Sequence, residues 1–206
     1  METGDLDDSL AHLLEVVRPR AVEGVDWEAP ADGLAWSCWE TVEHLADTLF
    51  VYSLQFTPRP PEPETGRHGY LPVSELKMER EHGPLMLLHL LAACGDLLSR
   101  AIRSAGPGRR MPHFTLLTDP DGFAAMGTVE SLAHGWDLTG GLGVRDAFNP
   151  PPEVCERALS RLFPEIPPAL SADHGPWPAL LWAVGRTALP GHPRRETWRW
   201  NARVRE

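Results

Sequence analysis

Residues 118–141, TDPDGFAAMGTVESLAHGWDLTGG, carry the reading that decides the fold. Between Asp121 and Asp137 the only charged side chain is Glu130. Thr118 or Asp119 can cap a helix here, Pro120 suits its first position, and Gly140–Gly141 stop it. A helix so poor in charge is enclosed by protein on most of its sides. A carboxylate inside it is costly unless something pairs with it. His134 lies four residues on and shares its face, on a stripe marked by Phe123, Gly127 and Leu138. Glu130 and His134 therefore read as two side chains aimed into a core.

Three further helices fit around this one. Residues 5–18 place Leu6, Leu10, Leu13, Leu14 and Val17 at helical spacing, and Pro19 is expected to end the run. Ser37–Cys38–Trp39–Glu40 has the S-x-x-E form of a capping box and opens a second helix to about residue 56. Its apolar stripe is Val42, Leu45, Leu49, Tyr52 and Phe56. Residues 57–82 form a long proline-rich connection with a short turn of helix expected at 74–80, and loops of this length are commonly functional or mobile. Gly83–Pro84 starts the most apolar helix, which Gly106–Pro107–Gly108 terminates. No alternating strand pattern stands out. The predicted architecture is all-α: an antiparallel four-helix bundle over residues 1–150. A short helical, proline-rich C-terminal extension, residues 151–206, is expected to pack on it. Within the extension, helices are expected at 151–163 and 176–188. The final ETWRWNARVRE reads as a strand or as an arm packed by Trp198 and Trp200.

Composition narrows the function. The net charge of −10 argues against nucleic acid and anionic membranes as partners. Of 19 basic residues only Lys77 is a lysine. Cys38, Cys94 and Cys155 are far apart with no CxxC pair, so neither a disulfide framework nor a thiolate metal site is expected. Cys38 and Cys94 fall in apolar helical runs and read as reduced, buried thiols. The acidic N-terminus has no signal-peptide pattern, and no uninterrupted apolar span approaches the roughly 20 residues of a membrane helix. The expectation is a soluble, cytoplasmic protein.

Three carboxylate-x3-His pairs occur: Asp8/His12, Glu40/His44 and Glu130/His134. Asp8 and His12 lie opposite the leucine stripe and read as a solvated pair. Glu40 is used by the capping box. His44 projects at the edge of its stripe, beside Thr41, Thr48 and Val51. Were the second and fourth helices neighbours, His44 would complete a three-donor set with Glu130 and His134. Two imidazoles and a carboxylate suit zinc with an open position, or iron in a facial triad. The same residues suit a buried Glu–His ion pair tying two helices together, and spacing alone leaves both readings open.

At these residues the chain resembles a family. WSCWETVEHLAD (36–47) and ESLAHGWDL (130–138) are similar to the two signature segments of DinB-like metal-binding bundles. The closer likeness is to the mycothiol-dependent maleylpyruvate isomerase type, whose relatives LLWAVGRTALPGHP…WRW (180–200) also resembles. The resemblance implies His44, Glu130 and His134 as ligands of a divalent metal, usually zinc, with nickel or iron as alternatives. It implies a low-molecular-weight thiol of the mycothiol class as cosubstrate, a small electrophile as the second substrate, and a homodimer. The implied activity is thiol S-transfer or isomerisation. The other uses of such a site are a metal-hydroxide hydrolase and a non-catalytic metal or small-molecule binder. The isomerase type has a separate C-terminal α/β domain that contributes a substrate-binding arginine. Here the residues after about 150 are few and proline-rich, so a transferase or a divergent relative is expected rather than maleylpyruvate isomerisation. Arg145 and Arg186 are candidate anion binders.

The remaining polar residues have plainer readings. Asp137 either steadies His134 from behind or is an exposed or helix-capping residue. Trp39 and Trp136 read as core. His89 reads as partly buried and hydrogen-bonded, whereas His68, His82, His113, His174 and His192 read as surface. The EPE and EREH clusters read as solvated.

Overall fold

The computed structural model describes residues 3–57, 69–73, 75–106, 108–114 and 116–204. It is mainly helical. Four long helices, α1 (Thr3–Val22), α2 (Cys38–Leu54), α3 (Gly83–Ser104) and α4 (Pro120–Gly141), carry most of the core. α1 packs on α3 and α4, and α2 packs on the same two. Helices α2 and α4 are therefore neighbours. Leu6, Leu13, Leu45, Leu49, Leu87, Leu91, Leu98 and Phe123 are fully buried between them.

Close approach at α4 depends on its glycines. A Cβ at Gly127 would stand 3.1 Å from the methyls of Leu6 and Leu98 and 3.4 Å from that of Leu49. Side chains from α1, α3 and α2 thus converge over one residue that has none. Two turns later, a Cβ at Gly135 would fall 2.5 Å from the ring of fully buried Phe148.

Helix ends follow their local chemistry. Ser37 Oγ accepts the Glu40 N–H at 3.1 Å and Glu40 Oε2 accepts the Ser37 N–H at 2.9 Å, which completes the capping box of α2. Asp119 caps α4, its Oδ1 accepting the Gly122 N–H at 2.7 Å. Thr118 is committed elsewhere: its hydroxyl donates to the Ala202 carbonyl. Helix α1 does not stop at Pro19 but runs to Val22 with the proline inside. Proline removes one helical hydrogen bond. Tertiary bonds support the turn that follows, as Arg20 Nε and Nη2 donate to the Leu142 carbonyl at 3.0 and 2.9 Å.

Two connections differ from expectation. A short ribbon, β1 (Met111–His113) against β2 (Leu116–Thr118), pairs antiparallel with Met111 opposite Thr118. Three residues per strand are too few for alternation to register in the sequence. Residues 75–79 are not helical, and a single 3-10 turn, Arg80–His82, follows them. Instead the segment is strapped to α2 by side chains. Gln55 Oε1 accepts the Leu71 N–H, Asp47 Oδ1 the Leu76 N–H and Glu43 Oε1 the Met78 N–H, at 3.1, 3.0 and 2.9 Å. The proline-rich half of the connection, including His68 and the EPE cluster, lies outside the described residues.

The apolar run of helix α3 is interrupted by Asp96 and Arg100. Within residues 80–104 one 18-residue window has a mean hydropathy of 1.6, long and apolar enough by composition to cross a membrane. The packing shows where that apolarity goes: Leu87, Leu88, Leu91, Cys94, Leu98 and Ile102 are buried in the core shared with α1 and α2. His89 is exposed on the other side.

The C-terminal residues form α5 (Pro152–Leu162), α6 (Pro168–His174) and α7 (Pro176–Ala183). Helix α6 occupies a stretch read as a connection, and α7 ends at Ala183 rather than near 188. α5 packs on α4 and α7. Arg157 pairs with Asp5 at the start of α1, and Arg161 Nη2 meets the capping Asp119 at 2.9 Å. The last residues are an arm: the Asn201 N–H donates to the Leu162 carbonyl at 2.7 Å, and Trp198 lies against Phe163 and Trp200. One cluster of buried side chains runs from Leu6 to Ala202.

The contact at Gly135 makes a prediction. Gly135→Val should destabilise the protein by about 2–3 kcal/mol through overpacking against Phe148, exceeding the helix-propensity gain of up to ~1 kcal/mol. Adding Phe148→Leu should recover part of that loss in urea titrations. Equal losses in the single and double variants would rule the contact out as the cause.

Candidate metal centre

Each of the three residues singled out from the sequence arrives by a different constraint. The capping box starts α2 at Cys38, so His44 falls on the edge that faces α4. Glu130 and His134 lie one turn apart in the middle of α4. One donor atom from each of His44, Glu130 and His134 lies within 4.8 Å of the other two. The two imidazole rings are 5.0 Å apart, edge to face. All three side chains are buried or largely buried.

Charge alternates through the cluster. His134 Nε2 is 3.3 Å from Glu130 Oε2, and its Nδ1 is 3.3 Å from Asp137 Oδ2. Both are ion-pair distances, and Nδ1 makes no well-aligned hydrogen bond. Asp137, almost wholly buried, is held in turn by Arg186 through Nη2–Oδ2 at 2.7 Å and Nε–Oδ1 at 3.2 Å. Asp137 thus backs His134 and does not cap the helix. Tyr52 completes the surroundings, its hydroxyl donating to Glu130 Oε1 at 3.4 Å.

The titration of each group follows from these neighbours. Burial pushes the Glu130 carboxyl up, but His134, His44 and Arg186 outweigh it and hold it below the usual carboxylate range. Burial likewise opposes ionisation of Asp137, and His134 and Arg186 again prevail. His134 is pushed down by burial, yet Asp137 and Glu130 together raise it to about 9. His44 is lowered by burial and then by the neighbouring His134 charge.

This donor set fits a divalent cation. It offers a neutral imidazole, a buried carboxylate, and an imidazole whose proton a cation would displace. A carboxylate behind the imidazole nitrogen that faces away from the cluster is the usual support of a metal-binding histidine. The protein's own thiols offer no competing donor. Burial raises Cys38 and Cys94 to about 11 and Cys155 to about 12, and all three are free and buried.

Other residues fall outside this cluster. His12 is half-buried, its Nε2 accepting the Asn149 N–H at 3.2 Å and its ring stacking on Phe148, while Asp8 is exposed. Arg186 is committed to Asp137. Arg145 lies over the face of Trp136 with its Nη1 2.6 Å from Asp32, so it too is engaged. Trp39 is core as expected, and its indole N–H donates to Glu43 Oε1 at 2.9 Å. Arg80 of the EREH cluster is not merely solvated, since it pairs with Glu28 at 2.6 Å and Glu43 at 3.2 Å.

Four side chains near the cluster escaped sequence reasoning. Glu43 is 2 % exposed and gathers Trp39, Met78, Lys77 and Arg80. Trp36 is 40 % exposed with its ring 4.6 Å from that of His44. Tyr52 belongs to the apolar stripe of α2 yet turns its hydroxyl to Glu130. His113, read as surface, is buried among Tyr52, Tyr70, Phe114 and Phe123. Its Nε2 has no hydrogen-bond partner.

A mainly helical protein with a convergent His–Glu–His cluster between two long helices is the class these observations define. The family model of the mycothiol maleylpyruvate isomerase N-terminal domain matches residues 5–139, which run from α1 almost to the end of α4. The chain belongs to that family. No curated protein and no solved structure matches it.

His113 yields a pH prediction. Burial pushes its pKa down to about 4, against an ordinary value of 6.5. Between those values the unfolded chain binds the proton and the folded one does not, so this contribution is complete above pH 6.5 and is lost as pH falls towards 4. At pH 5 the loss from this residue is about 2 kcal/mol. The stability difference between His113→Phe and wild type should shift in favour of the variant by that amount between pH 7 and pH 5. A pH-independent difference would show that His113 ionises freely in the folded protein.

Proposed function

We propose that the four long helices form a DinB-like antiparallel bundle that holds a divalent metal on His44, Glu130 and His134. Zinc is the first candidate, with nickel and iron as alternatives. The activity assigned is that of a thiol S-transferase or isomerase-like enzyme using a low-molecular-weight thiol of the mycothiol class. The single observation that carries this reading is the approach of three donor atoms to within 4.8 Å in a member of this family.

When bound, such a cation supplies Lewis acidity that keeps a thiol deprotonated near neutral pH, where a free thiol of pKa ~8.5 is thiolate only to a few per cent. The chain's own residues supply position. Asp137 fixes which His134 nitrogen faces the cluster, and Arg186 keeps Asp137 ionised although it is buried. Tyr52 engages Glu130 Oε1, leaving Oε2 turned towards His134. The nucleophile must come from outside, since no cysteine here has an accessible or acidic thiol. In S-transfer the sulfur bonds to the electrophilic carbon and the leaving group departs. In isomerisation addition to a double bond permits rotation, and elimination returns the thiol. The partners are then a small thiol and a small electrophile, not nucleic acid or a membrane. The family likeness adds a homodimer, and the setting proposed is the cytoplasm.

Two measurements test this. Titration calorimetry should give one zinc per chain, weakened by at least ~100-fold in His44→Ala and Glu130→Ala and by ~10–100-fold in Asp137→Asn. Unchanged binding in the first two variants would overturn the ligand assignment. Zinc-loaded protein should also accelerate conjugation of mycothiol to 1-chloro-2,4-dinitrobenzene, and His44→Ala should not. Zinc binding as expected without conjugation across several thiols would favour a non-catalytic binder.

A further inference from the structure

A cavity of about 270 Å³ opens beside His44, walled by α2 and by the strap that residues 75–77 lay across it. That volume is below the range of drug-sized sites and suits a single ring. Trp36 offers one flat wall, tilted by 45° against the His44 ring and 40 % exposed. The charges around it are mostly of one sign: Glu40, Glu43, Asp47 and Glu75 against Lys77. Glu40 is spent on the Ser37 N–H, and Glu43 is balanced by Lys77 and Arg80. Among the described residues Asp47 and Glu75 have no cationic partner. Asp47 accepts the Leu76 N–H, and Glu75 is exposed.

From this arrangement we infer that the cavity beside His44 is a subsite for a planar, uncharged or cationic group stacked on Trp36, and that it disfavours carboxylates. An indole face attracts a cation and tolerates a neutral ring, while two uncompensated carboxylates repel an anion. The inference deepens the proposed function, because a group held here would sit beside the reacting centre. It implies electrophiles or thiol conjugates that present an uncharged or cationic ring, and it argues against dicarboxylate substrates.

Its test needs neither metal nor thiol chemistry. Lys77 is the only lysine in the chain and lines this cavity, so its acetylation by an N-hydroxysuccinimide ester, followed by peptide mass spectrometry, reports occupancy. Three probes of nearly the same shape, benzamidine, benzamide and benzoate, step the charge from positive through neutral to negative. Benzamidinium should protect Lys77 at roughly tenfold lower concentration than benzoate, with benzamide between them. Glu75→Gln should reduce the benzamidinium advantage about threefold. Trp36→Ala should weaken protection by benzamidine and benzamide alike. Equal or better protection by benzoate, no protection by any probe, or an unchanged ratio in Glu75→Gln would overturn the inference. Zinc titration of the same protein separates that failure from failure of the metal assignment.

Discussion

An ionised carboxylate within an apolar helix demands compensation, and the arrangement around Glu130 is organised to supply it. His134 stands on the same helix face, His44 crosses from α2, and Tyr52 donates a hydroxyl. Each positive charge introduced then needs its own counter-charge. Asp137 answers His134 and Arg186 answers Asp137, so the pattern runs negative, positive, negative, positive from the middle of α4 into the C-terminal residues. Removing one member would leave its neighbour buried and unpaired, which is the expensive outcome for such networks. This gives the residues after α4 a specific task at the site. They lie beyond the stretch that defines the family, yet they carry the guanidinium that stabilises the back of the cluster.

The second constraint is the polar edge of α2. Gln55, Asp47 and Glu43 accept backbone N–H groups from a segment with almost no regular structure of its own. Segments that lack helix or sheet partners must satisfy their backbone groups some other way. Here side chains at helical spacing do so and draw the segment over the helix. The by-product is a mouth beside His44 whose composition is acidic and whose flat surface is Trp36. Structural satisfaction of the strap and the chemical character of the mouth therefore share the same carboxylates.

Legibility in the sequence tracked how local each signal was. The capping box of α2, the Asp119 cap and the termination of α4 near its paired glycines depend on residues within one turn, and these elements are where the pattern puts them. Glu130 stood out because nothing else between Asp121 and Asp137 is charged. Glu40 could be set aside because its capping partner is three residues away. Pro19 misled because the bonds that support the turn beyond it come from the far end of α4. His113 misled more deeply: its neighbours in sequence are arginine, proline and phenylalanine, and only a three-residue strand pairing turns it inward. The family model runs from α1 almost to the end of α4, and no signal in the chain announces Glu43 as a buried hub.

What the sequence determined alone was the four long helices and the two donors one turn apart on α4, because a 3.6-residue period and an isolated charge are properties of a few consecutive residues. Which helices touch is a long-range matter, settled by close packing over Gly127 and Gly135, where the missing side chains let neighbours approach. Helix packing brought His44 to Glu130 and His134, the C-terminal residues set Arg186 behind Asp137, and the β1–β2 ribbon turned His113 inward. No local rule anticipates these contacts, since each depends on the fit of surfaces distant along the chain.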